Sequence, residues 1–234
     1  MYIHHKLGTW KNCNKYIVLN EHARKLFLNS NLQLTEKQLV VKPNFNSVSA
    51  MQVQKRGDHF LYVGRLSEEK GIMLLLSVFS ACSYNIKIAG DGPLKQDVIQ
   101  YASKYPNIEF LGSVNQSAIL ALMQQCTALV FPSLWFEGMP LTIIEAFACS
   151  TPIIASKLGA METMITSGYN GLHFEVNNST DLQKKLDDWI NLDQIKKSQY
   201  QENTLLTYNN NYTSEKNIAQ LLQIYNEVIG CENL

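Results

Sequence analysis

Two glutamates bracket the stretch EGMPLTIIE at residues 137 to 145, and the second falls where the chain looks most like buried helix. On a helix opening at Pro140, the residues one turn from Glu145 are Leu141, Thr142, Ala148 and Cys149, none able to pair with its charge. A carboxylate buried without a partner is costly, so Glu145 must meet a salt-bridge partner elsewhere in the fold, an exposed edge, or a ligand. An ionised carboxylate suits a vicinal diol such as a ribose, because two hydroxyls can donate to its two oxygens. Glu137 lies in the loop before that helix, beside the backbone N–H groups of Gly138 and Met139. It either takes sugar hydroxyls together with those amides or serves as an acidic flank favoured by the helix dipole.

Two cations stand in a comparable position. Arg65 ends the strand-like run HFLYVGRL and Lys70 opens the following helix five residues later. A tight connection brings both to one point, where with a helix N-terminus they hold a diphosphate; the alternative is a pair of solvated loop cations. The turn Gly90-Asp91-Gly92-Pro93 permits close backbone approach or a purely structural strand-to-helix reversal, and Pro93-Leu94 after it breaks any GxGxxG dinucleotide fingerprint. Pro132-Ser133 falls at the end of another strand-like run. The remaining candidates carry little. His4 and His5 read as surface residues, His173 as core or edge, and Asp187-Asp188 as part of a late helix. No HxxxH, strand-end DxD or Cys/His cluster marks a metal site.

The elements that must position these residues follow from periodicity. From His59 onward, HFLYVGRL, NIKIAGDG, NIEFLGSV, TALVFPS, TPIIAS and NGLHFEV read as strands. Helices start between them near Lys70, Pro93, Gln116, Pro140 and Ala160, with two more at Thr180 to Ile190 and Ser214 to Ile229. Continuous apolar strands alternating with helix-length segments predict parallel βαβ units and a doubly wound α/β sheet, whose ligands sit at the carboxyl ends of strands. TYNNNYTS at 207 to 214 reads as a loop. Residues 1 to 45 offer only strand, helix and strand (KYIVLNEHARKLFLNS, QLVVKPNF), followed by a polar linker-like stretch over 46 to 58.

Composition narrows the function class. Twenty basic residues balance twenty acidic ones in 234, so net charge argues for neither nucleic acid nor an anionic membrane, and any anion site must be local. Five scattered cysteines without CxxC spacing fit reduced thiols in the cytoplasm. The N-terminus lacks the apolar core of a signal peptide, and the longest apolar run, Ile72 to Phe79, is far too short to span a bilayer.

Taken in order, VGRLSEEKG, IAGDGPL, FLGSV, FPSLWFEGMPLTIIEAFACSTPIIAS and YNGLHFEV resemble the nucleotide-sugar-binding half of GT-B glycosyltransferases of the GT4 type over about residues 59 to 190. Glu137 and Glu145 match that family's E-x7-E arrangement. The resemblance implies a Rossmann-like, doubly wound parallel sheet forming the C-terminal half of a GT-B fold. Residues 59–212 would be the donor domain and 213–234 a terminal helix, with 1–45 the end of an acceptor domain otherwise missing and 46–58 a linker. It implies retention of anomeric configuration in polysaccharide biosynthesis, with no cofactor and no metal required. Donor binding falls to Gly64, Arg65, Lys70, Leu111, Gly112, Glu137, Gly138, Met139, Pro140, Leu141, Thr142 and Glu145. Of these, Arg65 and Lys70 would hold the diphosphate, Leu111 and Gly112 lie near the base, Leu141 and Thr142 near the phosphates, and Glu145 on the ribose. Glu137 would contact the transferred sugar and share the catalytic role with the two cations. Ser150 stands where the family usually has glycine, which would tighten or tilt the helix end.

The implied partners are a nucleotide-sugar, a glycan or lipid-linked acceptor, and an acceptor-domain protein or a second copy, with no nucleic acid. The expected location is cytoplasmic, either free or peripheral at the inner membrane face. Two other expectations are a non-catalytic nucleotide-sugar-binding subunit and a GT-B-shaped epimerase or phosphorylase.

Overall fold

Six parallel strands carry the molecule: β3 (Phe60–Val63), β4 (Ile86–Ala89), β5 (Ile108–Gly112), β6 (Leu129–Phe131), β7 (Ile153–Ser156) and β8 (Gly171–Phe174). They are seen in a computed structural model that describes residues 8–48 and 56–230. The sheet order is β5-β4-β3-β6-β7-β8. The chain therefore builds outward from β3 to one edge, then crosses back and builds to the other, so the direction of winding switches between β3 and β6. At such a switch the loops leaving the two carboxyl ends diverge to opposite faces and leave a crevice.

Alternation along each strand supplies both faces. Phe60, Tyr62, Ile86, Ile88, Val130 and Ile154 pack with α2 (Ile72–Phe79), α3 (Lys95–Lys104) and α7 (Ser179–Ile190), where Trp189 is fully buried. Leu61, Leu129, Phe131, Ile153 and Ala155 pack on the other face with α4 (Gln116–Gln125), α5 (Leu141–Ala148) and α6 (Ala160–Met164). A sheet buried on both sides explains why its strands read as continuous apolar runs.

Two helix starts differ from expectation. The segment at Lys70 is a short 3₁₀ turn, Glu68–Lys70, and α2 begins only after Gly71. Pro93 lies in the turn ahead of α3 rather than in its first helical turn. The expectation of a loop over 207 to 214 fails more fully, because α8 (Gln194–Asn211) runs through the first five of those residues. Asp193 caps it, and Tyr200, Thr204 and Tyr208, four apart, are buried on one face. Packing against α5, including a stack of Phe147 on Tyr212 at 6.0 Å, overrides the weak helix propensity of asparagine.

The early residues form a small unit of their own. β1 (Tyr16–Val18) and β2 (Leu39–Val41) pair in parallel around α1 (Glu21–Leu28), over Val18, Leu34 and Leu39. The last helix, α9 (Ser214–Ile229), runs along it. Lys42 Nζ donates to Asn217 Oδ1 at 2.7 Å, and Gln220 Nε2 to the Val41 carbonyl at 2.7 Å.

Candidate functional site

A cavity of about 230 Å³ opens at the β3/β6 switch, lined from one side by Tyr62, Gly64, Arg65 and Lys70 and from the other by Ser133, Glu137, Pro140 and Thr142. The loops that bear these residues are stitched together: Leu134 N donates to the Glu69 carbonyl at 2.9 Å. Gly71 is required there, since its φ is +71° and a Cβ would lie 2.0 Å from the Pro132 carbonyl oxygen. The GDGP turn proves to be a buttress. A Cβ on Gly90 would fall 1.9 Å from the Gly64 oxygen, and Leu66 N donates to the Asp91 carbonyl at 2.9 Å, which sets the backbone that carries Arg65.

Within the cavity, Lys70 Nζ donates to Glu137 Oε1 at 2.5 Å, and buried Ser133 Oγ donates to the same oxygen at 2.8 Å. The carboxylate is thus oriented by a fixed cation and a fixed hydroxyl. Burial, together with Glu137 and Glu69, raises the Tyr62 phenol above its ordinary range, so it stays neutral and donates to the Arg65 carbonyl at 2.7 Å. Arg65 is exposed and, among the described residues, its guanidinium forms no hydrogen bond or ion pair. Pro140 precedes α5, no side chain caps that helix, and its first N–H groups, those of Leu141 and Thr142, have no intrahelical acceptor. A free guanidinium, an oriented ammonium and an uncapped helix N-terminus around one small cavity suit a doubly charged anion such as a diphosphate.

Glu145 lies one turn further along α5 and is half-buried. Its partners come from outside the helix: Gln116 Nε2 donates to Oε1 at 2.7 Å and Asn46 Nδ2 to the same oxygen at 3.3 Å. Both are neutral. Burial raises its pKa, and these two hydrogen bonds oppose the rise only in part. Oε2 is left to take another donor.

A second cavity, about 210 Å³, adjoins the first at Gly64 and Arg65 and extends past Gly90 to Ser113, Val114 and Ile119. Gly112 ends β5 beside it with φ +68°, its carbonyl accepting from Gly90 N at 2.8 Å, while Leu111 and Gly112 are not themselves in its wall. Leu141 points to solvent, and the Met139 side chain turns into the core, so both can serve the cavity only through backbone. Gly138 is exposed in the loop.

His173 sits on β8 against the Ile165 carbonyl at 3.0 Å, and Asp187 accepts from Tyr84 Oη at 2.8 Å, so both serve the scaffold. His4 and His5 lie outside the described residues. Sequence reading missed Asn20, His22, Asn46 and Gln116, whose roles arise only from distant contacts. Among the described residues no group of three or more His, Cys, Asp or Glu is arranged to hold a metal ion, and no helix is long and apolar enough to cross a membrane.

Residues 49–207 match the family model described as "Glycosyl transferases group 1". Among curated relatives, the uncharacterized glycosyltransferase MJ1178 of Methanocaldococcus jannaschii is 28% identical over 93% of this chain and 60% of its own length. The O-antigen chain mannosyltransferase C of Escherichia coli is 26% identical over 74% of this chain and 48% of its own. The chain thus spans no more than about 60% of these relatives. Among solved structures, Anabaena Alr3699/HepE in complex with UDP superposes with a TM-score of 0.79 at 17% identity, covering 92% of this chain and 64% of that one. TarM of S. aureus, solved with Fondaparinux, alpha-GlcNAc-glycerol and UDP, gives 0.76 at 20% identity over 91% and 44%.

Proposed function

This chain belongs to the glycosyl transferases group 1 family and folds as the C-terminal half of a GT-B enzyme, and from that premise we propose that it binds a nucleoside-diphosphate sugar for GT4-type transfer. The sugar passes, with retention, to a glycan or lipid-linked acceptor in polysaccharide biosynthesis. The observation that carries this reading is the convergence of Arg65, Lys70, Glu137 and the uncapped start of α5 on one cavity at the sheet's switch point.

In this reading the diphosphate lies against Arg65, Lys70 and the first amides of α5. The ribose diol donates to Glu145, the base enters the second cavity near Ser113 and Val114, and the sugar hydroxyls meet Glu137 and the backbone of Gly138 and Met139. Transfer breaks the bond between the anomeric carbon and a diphosphate oxygen, forms one from that carbon to the acceptor hydroxyl oxygen on the same face, and passes the hydroxyl proton to the departing diphosphate. Negative charge then grows on the departing diphosphate, where Arg65 and Lys70 stabilise it more strongly than in the ground state. Lys70, already oriented by Glu137, needs little reorganisation. These two cations supply the charge stabilisation that a divalent ion gives elsewhere, so the reaction needs no metal. A lipid-linked acceptor would set the protein at the cytoplasmic face of a membrane.

The test is to incubate the chain with UDP-, GDP- and ADP-sugars and saccharide acceptors, with and without EDTA, and to follow the anomeric proton by NMR. Nucleotide-sugar binding with poor transfer is expected of this chain alone, and the transfer that occurs should retain configuration and be unaffected by EDTA. Transfer with inversion, or full loss of transfer in EDTA, contradicts the mechanism.

A further inference from the structure

Lys70 and Ser133 hold the Glu137 carboxylate from the cavity side, but the loop that carries it is also gripped from the opposite side. Buried Asn20 is the N-cap of α1: its Oδ1 accepts from Ala23 N at 2.8 Å, while its Nδ2 donates to the Gly138 carbonyl. Two residues on, the His22 ring stacks on Phe136, with centroids 5.2 Å apart and planes 15° from parallel. The edge of Phe136 in turn rests on Gly159, close enough that a Cβ there would approach Phe136 Cδ1 to 3.1 Å. Asn44 N completes the grip with a contact to Met139 Sδ at 3.1 Å. Phe136, Gly138 and Met139 are each held by a residue roughly 95 to 118 positions away.

This stretch has no regular hydrogen bonding of its own between β6 and α5. A carboxylate on an unsupported loop would spend much of its time out of register, and recognition of hydroxyls tolerates little misplacement. The Asn20 contact also fixes a peptide plane. With the Gly138 carbonyl turned to Asn20, the Met139 N–H, antiparallel to it across a trans peptide, is directed away from α1.

We propose that Asn20 and His22 are positioning residues for the donor sugar, which preset the Glu137 carboxylate and the Gly138–Met139 peptide. The inference rests on reading the cavity as a nucleotide-sugar site. His22 acts through its ring face: its Nε2 is buried without a hydrogen-bond partner, so neither a proton nor a polar contact from that atom is needed. Phenylalanine should therefore replace it.

Two ligand classes separate this role from general support. UDP and GDP touch the diphosphate, ribose and base groups; UDP-glucose and GDP-mannose must use Glu137 as well. Calorimetric titration of the whole chain should show that Asn20→Asp, which keeps the cap acceptor but loses the donor, and His22→Ala each weaken sugar-nucleotide binding by roughly tenfold. Affinity for the bare diphosphate should stay within about twofold, and His22→Phe should restore sugar-nucleotide binding. Equal loss for both ligand classes, unchanged sugar-nucleotide affinity, or failure of His22→Phe to rescue would overturn the proposal. If the unaltered chain binds neither class, the nucleotide-sugar reading falls with it; if it binds both and the variants do too, only the positioning role falls.

Discussion

Glu145 sits where a carboxylate is uncomfortable without a ligand. Burial raises its pKa, and Asn46 and Gln116 offset that only partly. A carboxylate whose folded pKa lies above its unfolded one adds no penalty at pH below both; the cost builds as pH rises between them and persists at neutral pH. Glu145→Gln, which can still accept from Gln116, is therefore expected to raise the melting temperature of the unliganded chain at neutral pH. The gain should vanish in melts run below the ordinary carboxylate range, and nucleotide affinity should fall by about tenfold. A melt unchanged at neutral pH would mean that solvent already relieves the charge. The composition of helix α5 made this residue conspicuous, because nothing within one turn could pair with it. Its real partners were hidden, since Asn46 and Gln116 stand 99 and 29 residues away. The same distance concealed Asn20 and His22.

Helix ends decide the next scale. At the C-terminus of α5, Thr151 N donates to the Ala146 carbonyl at 2.8 Å and Ser150 N to Phe147 at 3.0 Å, a Schellman closure with Ser150 at φ +56°. A side chain is strained there, so Ser150→Gly should stabilise the fold by about 1 kcal/mol in urea titrations, with an unchanged denaturant slope. Behind the same end, Arg56 reaches the carbonyls of Met123, Cys126, Cys149 and Ser150 at 2.7 to 3.0 Å, tying the C-termini of α4 and α5 with one mostly buried cation. Arg56→Met should cost on the order of 3 kcal/mol by the same measurement, and Arg56→Lys should recover little, since one ammonium cannot span four carbonyls. Strands and most helices were legible because their period follows from burial. The cap at Ser150 could be suspected from its neighbours, whereas Arg56 looked like one charge in a polar stretch. Helix α8 was misread because asparagine-rich composition suggests a turn until Tyr200, Thr204 and Tyr208 are seen to share one buried face.

Across the whole molecule, the order β5-β4-β3-β6-β7-β8 turns separate strand-end residues into one site, because the winding switches between β3 and β6 and the loops leaving them flank one cavity. The alternation of strand and helix gave the layers; which strands are neighbours depends on crossovers that no local pattern specifies. At the far side, α9 keeps its polar contacts for the small β1/β2 unit and exposes Ile218, Leu222, Tyr225 and Ile229. Such a stripe favours association, and sedimentation velocity should show self-association growing with concentration and abolished by Leu222→Glu; a clean monomer throughout would refute it. If the β3/β6 cavity holds the diphosphate of a nucleotide-sugar, titration calorimetry of the chain and its Arg65→Ala variant with UDP, GDP, ADP and their sugars will register it. One nucleotide series should bind, with affinity reduced at least roughly tenfold by Arg65→Ala; no binding at millimolar concentration, or binding indifferent to Arg65, would contradict the account.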